Sequence, residues 1–281
     1  MTSVLEAIIY DNQLQGCTYV EPFAGGAGAG LKLLCQGHVD RVIINDADRA
    51  IACFWKSVMK RTDELAELIL ETPLTIEAWE AQRAIYRAPG RCSEIRLGFA
   101  AFYLNRCNRS GIIKNGGPIG GIAQAGKWKI DARFNREQLV TRVRELADYG
   151  DRITVLCQDA CSLIESLNGH VGNERCFVYA DPPYYLKGRE LYFSHYADKD
   201  HAAFANQMSQ LNNVAWVMTY DDHPRIRELY TRHSIQSFKL RYSAHADSPQ
   251  GGEVLIAPQQ VTISKSAKNC LTLLAGNRDD N

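Results

Sequence analysis

The chain has 281 residues, 46% of them hydrophobic and 23% charged, with 32 basic and 32 acidic side chains, enough apolar material for one core plus an insertion or for two small domains. No run approaches the ~18 uncharged apolar residues that cross a bilayer, and the start MTSVLEAIIYDNQ carries acids where an export signal is basic and then apolar. Nine cysteines without a C-x-x-C pair argue for reduced thiols rather than a disulfide or structural-zinc framework. The expected location is therefore the cytoplasm, with no membrane partner; the seven histidines show no ligand spacing, so no metal is expected.

In chain order, CTYVEPF (17–23) reads as a buried strand, AGGAGAG as a turn of small residues and LKLLCQ as a helix. RVIIN (41–45) is the next strand, ending at Asp46. From 47 to 71 apolar residues recur three and four apart, which predicts one helix stopped by Thr72-Pro73. Further helices are expected over 76–86 and 94–104, then a glycine-rich loop over 108–126 and an amphipathic helix over 134–149. Strands resume at 153–157, 176–180, 214–219, 234–240 and 253–257, separated by helical stretches from Cys161, over 201–211 and over 224–231. Alternation of this kind predicts an α/β, Rossmann-like, mostly parallel sheet covered on both faces. The expected organisation is a catalytic domain from 1–57 and 149–260, a helical insertion over 58–148 and a peripheral tail over 261–281.

The neutral total conceals an asymmetry. Between Arg83 and Arg144 stand thirteen basic side chains against three acidic ones, an excess of ten that the remainder of the chain balances. A basic segment in a neutral chain can present a polyanion-binding surface on one side only, or its arginines can simply be spread over solvated helix faces.

Small residues after a first strand let a backbone pass close to a ligand at the strand's carboxyl end. The dinucleotide fingerprint fails, because from Gly26 it needs glycine at 31, where Leu31 stands; close helix-strand packing remains an alternative use of the glycines. Three acids at strand ends add to the pocket. Asp46 is placed to accept from both ribose hydroxyls of a nucleoside, Glu21 to receive an ammonium group, and Asp159 to accept from an exocyclic adenine amine. Such a pocket suits a cationic amino-acid nucleoside, of which S-adenosylmethionine is one.

Asp181-Pro182-Pro183-Tyr184 follows the strand CFVYA. Two successive prolines fix φ and donate no hydrogen bonds, so the turn is stiff and non-helical. Adenine N6 is a poor nucleophile because its lone pair is delocalised, and a catalyst must accept its hydrogens as the nitrogen pyramidalises. Asp181 supplies one acceptor, the Pro182 carbonyl a second, and Tyr184 a ring to stack on the base. A paired base cannot reach such a pocket, so the target must leave the duplex.

EPFAGG at 21–26, Asn45-Asp46, CQD at 157–159 and DPPY at 181–184, in that order, resemble the Dam-type (α-group) N6-adenine DNA methyltransferases over about 19–258, as does FYLNRCNRSGI at 102–112. The resemblance implies a class I S-adenosylmethionine-dependent fold, double-stranded DNA as substrate and Asp181, Pro182, Pro183 and Tyr184 as catalytic residues. It implies cofactor contacts from Glu21, Pro22, Phe23 and Ala24, from Gly25, Gly26, Ala27 and Gly28, and from Asp46, Ala47, Asp159, Ala160 and Asp181. It also implies that the insertion recognises the target, that LYFSHYADKDH (191–201) closes over the base and that TYDD (219–222) lies beside the pocket. Family members often begin with a K-W-x-G-G-K-like stretch that this sequence lacks; Tyr10 and its neighbours substitute, the start is shortened, or another element serves. Asn105, Arg106, Arg109, Lys114, Lys127, Trp128, Lys129 and Arg133 interleave cations with an aromatic ring, as DNA contact requires; Arg106 and Arg109 also suit internal pairing. The alternatives are an RNA adenine-N6 methyltransferase and a non-catalytic DNA-binding or regulatory subunit, and a restriction or defence system is where a partner protein is expected.

Overall fold

The computed structural model describes residues 1–169, 175–186, 196–239 and 252–274. Short apolar runs give short strands: β1 (Thr18–Glu21), β2 (Arg41–Asn45), β3 (Ile153–Leu156), β4 (Cys176–Ala180), β5 (Ala215–Asp221), β6 (Ser234–Lys239) and β7 (Gly252–Ala257). They form one sheet in the order β3-β2-β1-β4-β5-β7-β6. β1 runs parallel to β2 and β4, and β4 to β5, whereas β7 runs antiparallel to both β5 and β6. The sheet is thus mostly parallel and Rossmann-like, with an antiparallel pair at one edge. β1, β4 and β5 are buried almost along their whole length, as central parallel strands under helices must be. Pro22, which cannot donate to a ladder, ends β1 one residue after Glu21, two residues short of the expected strand.

The chain divides into two compact units, one drawn from 1–45 and the described part of 158–281, the other from 46–157. These two compact units are bounded at 45/46 and 157/158.

In the first unit, α1 (Thr2–Asp11) was not expected from the sequence. It buries Val4, Leu5, Ile8 and Ile9 against α2 (Gly28–Cys35) and α11 (Lys265–Leu274), and leaves Tyr10 72% exposed. Asn12 joins these ends of the chain: its Nδ2 donates to the Thr262 carbonyl at 2.9 Å and its Oδ1 accepts from the Thr262 N–H at 2.8 Å. Val261, Ala267 and Leu271 are buried, so the segment expected to be a peripheral tail belongs to the core of this unit up to residue 274. α8 (Ala160–Gly169), α9 (Asp198–Gln210) and α10 (Pro224–Leu229) complete it.

The second unit holds α3 (Arg49–Lys60), α4 (Thr62–Glu71), α5 (Ile76–Arg87), α6 (Glu94–Cys107) and α7 (Arg136–Ala147). α3 and α4 replace the single helix expected over 47–71. The break is at Arg61 (φ −140°, ψ 42°), whose guanidinium turns onto Glu64 at 2.8 Å while the Thr62 hydroxyl donates to the Val58 carbonyl at 2.8 Å. α6 is apolar on most of its surface and packs against α3 so closely that a Cβ on Gly98 would lie 2.5 Å from the backbone nitrogen of Phe54. Propensity alone favours alanine in a helix interior by ~1 kcal/mol, but forcing two backbones apart costs ~1–3 kcal/mol. Gly98→Ala is therefore expected to destabilise the protein, read as a lower urea midpoint at unchanged m-value; a midpoint that rises would refute the close approach.

Candidate active site

The strand order reverses direction between β1 and β4: the chain leaves β1 toward β2 and leaves β4 toward β5. In open α/β sheets the crevice opens where neighbouring strands send their connections opposite ways. Glu21 stands one residue past the paired Val20 and Val178, and Asp181 three residues past it, so both carboxyl ends face this crevice.

The loop after Glu21 has two kinds of glycine. A Cβ on Gly30 would meet the Tyr19 ring at 2.7 Å, which is the packing use anticipated as an alternative. A Cβ on Gly25, Gly26 or Gly28 would meet nothing within 4 Å, so no internal packing asks for their small size. Gly25 (φ +48°) and Ala27 (φ +46°) are left-handed, Ala27 as the residue before α2 and at a cost of ~1–3 kcal/mol for a residue with a Cβ. Phe23 packs edge-on against Tyr196 (5.7 Å) and Phe204 (5.1 Å), while Pro22 and Ala24 are buried.

Asn45, a residue to which sequence reasoning gave no role of its own, holds this region together. It is completely buried; its Nδ2 donates to the carbonyls of Pro22 (2.9 Å) and Gln158 (3.0 Å), its Oδ1 accepts from Gln158 N–H (3.1 Å), and its carbonyl accepts from Ala24 N–H (2.8 Å). Asp159 is exposed and its Oδ1 caps α8 by accepting from Cys161 and Ser162 at 2.9 and 3.3 Å, with Ala160 buried behind it.

The turn after β4 is irregular and non-helical, with Pro182 and Pro183 buried. Thr219, at the middle of β5, donates its hydroxyl to Asp181 Oδ1 at 2.8 Å and lies 3.0 Å from the Tyr179 hydroxyl. Because the Thr219 proton goes to the carboxylate, Tyr179 is the donor to Thr219. Tyr184 donates to Glu253 Oε1 at 2.7 Å, and Asp221 accepts from the N–H groups of Tyr185 (2.8 Å) and Leu186 (3.0 Å). Of the TYDD segment, Thr219 and Asp221 thus grip the motif, and Asp222 instead pairs with Arg227. Residues 191–195 of the segment expected to close over a base lie outside the described residues; Tyr196 packs on Phe23.

Glu21 is buried, with Oε1 accepting from the Tyr19 hydroxyl (2.9 Å) and Gly30 N–H (3.1 Å). Burial pushes its pKa up to about 7, the two hydrogen bonds pull the other way, and the charge on Asp181 adds to the rise. Asp181 keeps one side open to solvent, yet the protein enclosing the rest of it, with Glu253 adding repulsion against the Thr219 bond, pushes it up to about 6. Both groups hold their protons more tightly folded than unfolded, so the stability they contribute is complete below the ordinary carboxylate range and is lost as pH rises through about 6 to 7. Glu21, enclosed on all sides, carries the firmer share. Glu21→Gln is expected to flatten the fall in stability between pH 5 and 8 measured by urea unfolding; a pH profile parallel to that of the unaltered protein would contradict the assignment.

The remaining expected site residues belong to the second unit. Asp46 directly follows Asn45, its Oδ1 accepting from Asp48 N–H at 2.8 Å, and Asp48 caps α3 through Ala50; Ala47 is exposed. In the basic loop, Asn108 is wholly buried, accepting from Trp79 Nε1 (2.7 Å) and donating to the Ile112 carbonyl (2.6 Å). Arg106 turns inward: Nε and Nη2 donate to the Arg133 carbonyl at 2.9 and 2.7 Å, and Asn105 donates to the Gly111 carbonyl at 3.0 Å. Gln124 folds the tip by donating to the carbonyls of Ile119 and Gly121 and accepting from Ile130 N–H, and Lys129 reaches the Gln124 carbonyl. What this folded tip exposes is Ile122 (58%) and Trp128 (65%), with Lys127 Nζ 5.6 Å from the Trp128 ring centre and Arg109 exposed nearby in sequence. Lys114 is partly exposed.

No curated protein matches the chain. Among solved structures, a protein of Pyrococcus horikoshii described as a candidate RNA methyltransferase overlaps 91% of this chain and 81% of its own, at TM-score 0.41 and 9% identity. The rRNA methyltransferase aviRa from Streptomyces viridochromogenes overlaps 98% and 85%, at TM-score 0.37 and 13% identity. A SAM-dependent methyltransferase from Agrobacterium tumefaciens overlaps 92% and 62%, at TM-score 0.39 and 11% identity. Overlaps this loose leave the assignment to the sequence model of the D12 class N6 adenine-specific DNA methyltransferases, which matches residues 2–244. That span takes in the glycine loop, the basic insertion and the D-P-P-Y turn, and the protein belongs to the D12 class N6 adenine-specific DNA methyltransferase family.

Proposed function

We propose that the protein is a Dam-type enzyme of this family that methylates N6 of an adenine extruded from double-stranded DNA at specific sites, with S-adenosylmethionine as the methyl donor, in the cytoplasm. The observation that carries the reading is the turn itself: Asp181, fixed through Oδ1 by Thr219, lies beside the β1 loop whose Gly25, Gly26 and Gly28 have no packing reason to be small.

The chain fits the cofactor on that loop and on charge. The upward shifts of Glu21 and Asp181 come from burial and neighbouring acids, with no contribution from a basic side chain among the described residues, which suits a cationic ligand. Bound S-adenosylmethionine supplies a methyl group activated by the positive charge on its sulfur. Glu21 would offer its second oxygen to the ammonium group, Asp159 its Oδ2 to the adenine amine, and Phe23 an apolar wall. Binding a cation favours ionised Glu21, so affinity weakens as pH falls below about 7.

On the target, Asp181 Oδ2 and the Pro182 carbonyl accept the two N6 hydrogens and Tyr184 stacks on the ring. As the N6 lone pair formed the new N–C bond, the methyl–sulfur bond would break with its electron pair left on the now neutral sulfur, and the nitrogen would shed one proton, which Asp181 would take up and pass to water. An acceptor with a pKa near 6 holds that proton better than an ordinary aspartate. The test is incubation with labelled cofactor and, in parallel, double-stranded DNA, single-stranded DNA and RNA. Label is expected in N6-methyladenine of duplex DNA, and Asp181→Ala is expected to lose transfer by at least about a hundredfold while still binding the cofactor. Label confined to RNA overturns the substrate, and an active Asp181→Ala overturns the acceptor.

Exposed Lys127 and Trp128 suit DNA better than the inward-facing Arg106 does. Lys127→Ala is expected to reduce the slope of log affinity against log salt by about one, because one phosphate contact is lost. Trp128→Ala is expected to lower kcat/KM with the slope unchanged, as loss of an apolar wedge would. Equal slopes for Lys127→Ala and the unaltered protein would remove this loop from the phosphate backbone.

A further inference from the structure

Asn45 is the last residue of β2, is wholly buried, and meets three backbone groups with its amide. Nδ2 donates to the carbonyls of Pro22 (2.9 Å) and Gln158 (3.0 Å), and Oδ1 accepts from Gln158 N–H (3.1 Å). The β1–β2 register explains the first of these bonds. Glu21 pairs with Ile44, so Pro22 comes level with Asn45, and a proline has no N–H with which to continue the ladder. The side chain takes over where the backbone pairing stops. Two acceptors and one donor converging on a buried position call for a group with two donors and an acceptor, and among short side chains the asparagine amide alone has them. An ionised aspartate would face two carbonyls with no proton to give.

Each of the two points that the amide clamps adjoins an acid: Glu21 precedes Pro22, and Asp159 follows Gln158, all within the first unit. We propose that Asn45 is a positioning residue for the cofactor, which sets the spacing between the Glu21 and Asp159 carboxylates, and so between the subsites for the ammonium and adenine ends, by clamping the backbone beside each. This rests on the binding roles proposed above for those two acids. Glu21 Oε1 accepts from the Tyr19 hydroxyl and Gly30 N–H, and Asp159 Oδ1 from the N–H groups of Cys161 and Ser162. Those bonds aim each acid from within its own segment of chain, whereas the Asn45 amide joins the two segments. A ligand long enough to reach both acids gains its second contact as an intramolecular event, and gains it fully only when the spacing of the acids matches its own. A ligand that reaches one acid is indifferent to that spacing.

NMR titration with S-adenosylhomocysteine, adenosine and methionine reads a spanning ligand against its two ends. In Asn45→Ala the affinity for S-adenosylhomocysteine is expected to fall by on the order of tenfold or more, beyond the product of the fold losses for adenosine and methionine. A merely structural role damages each subsite by itself; a loss no greater than that product overturns the proposal. The unaltered protein supplies a second reading that stands even if Asn45→Ala fails to fold. Its Asn45 side-chain amide hydrogens are expected to exchange slowly with solvent, and more slowly with S-adenosylhomocysteine bound than with adenosine and methionine bound together, because a clamp that favours the spanning ligand is favoured by it in return. Equal exchange in the two complexes overturns the clamp. An unaltered protein that binds none of the three probes brings down the cofactor reading itself, and that failure is told apart from equal exchange or a multiplicative loss, both of which require binding.

Discussion

Two prolines in succession leave the backbone without donors at 182 and 183, and the D-P-P-Y turn is anchored by how the N–H groups of residues 185 and 186 are satisfied. The N–H groups of Tyr185 and Leu186 both point at the carboxylate of Asp221, the last residue of β5. A single carboxylate receiving two backbone N–H groups is a charge-assisted bond of the stronger kind, and it fixes the exit of the turn to the sheet rather than to a mobile neighbour. The entrance is fixed by β4 itself, and Asp181 between them by Thr219. The corner is rigid because its two ends and its one acidic side chain are tied to adjacent strands, β4 and β5, whose register is set by parallel pairing.

A site so tied concentrates negative charge. Asp181, Glu21, Glu253 and Asp221 all sit at strand ends in the first unit, while Asp198 pairs with Arg225 and Asp222 with Arg227. A carboxylate enclosed by protein holds its proton more tightly, as Glu21 and Asp181 do, and this weakens the fold as pH rises. A site meant to receive a cation works the other way round: the repulsion is relieved when the ligand arrives, and an internal lysine would compete with it. The left-handed Ala27 is strain of the same kind, located in the loop that a ligand would approach.

Much of this was legible in the sequence, and the limits of legibility have physical reasons. Continuous apolar runs such as RVIIN and CFVYA announce buried parallel strands because both faces are covered, and these two strands begin and end where expected. The helix α1 has Val4, Leu5, Ile8 and Ile9 at helical spacing, so its signal was present in a segment read only for targeting features. The break between α3 and α4 was invisible because Arg61 and Thr62 are ordinary helix residues; the chain bends there through side-chain bonds to Glu64 and Val58, not through a proline or glycine. Motif residues with strand-end positions could be named from spacing. Those that aim them could not: Thr219, Asp221 and Glu253 lie 38, 36 and 69 residues from their partners in the turn, and only strand pairing brings them there. Arg106 shows the converse, since a cation in a basic run is indistinguishable in sequence from one whose guanidinium folds back onto the Arg133 carbonyl.

The second tyrosine of D-P-P-Y-Y illustrates how chemistry and anchorage divide between neighbours. Tyr185 stacks on His223 at 4.4 Å and 26°, leans on His201 at 5.1 Å, and donates its hydroxyl to Asp198, which Arg225 holds by two bonds. His201 in turn lies 2.9 Å from the Tyr220 hydroxyl through Nδ1, and burial holds its pKa below the usual imidazole range. Adjacent side chains on a non-helical backbone leave in different directions. With Tyr185 sunk among α9, α10 and the end of β5, Tyr184 is turned toward Glu253 and the crevice. Rigidity in the motif is thus not a property of the prolines alone. They stiffen the backbone, but the direction in which it points is also set by where Tyr185 is held.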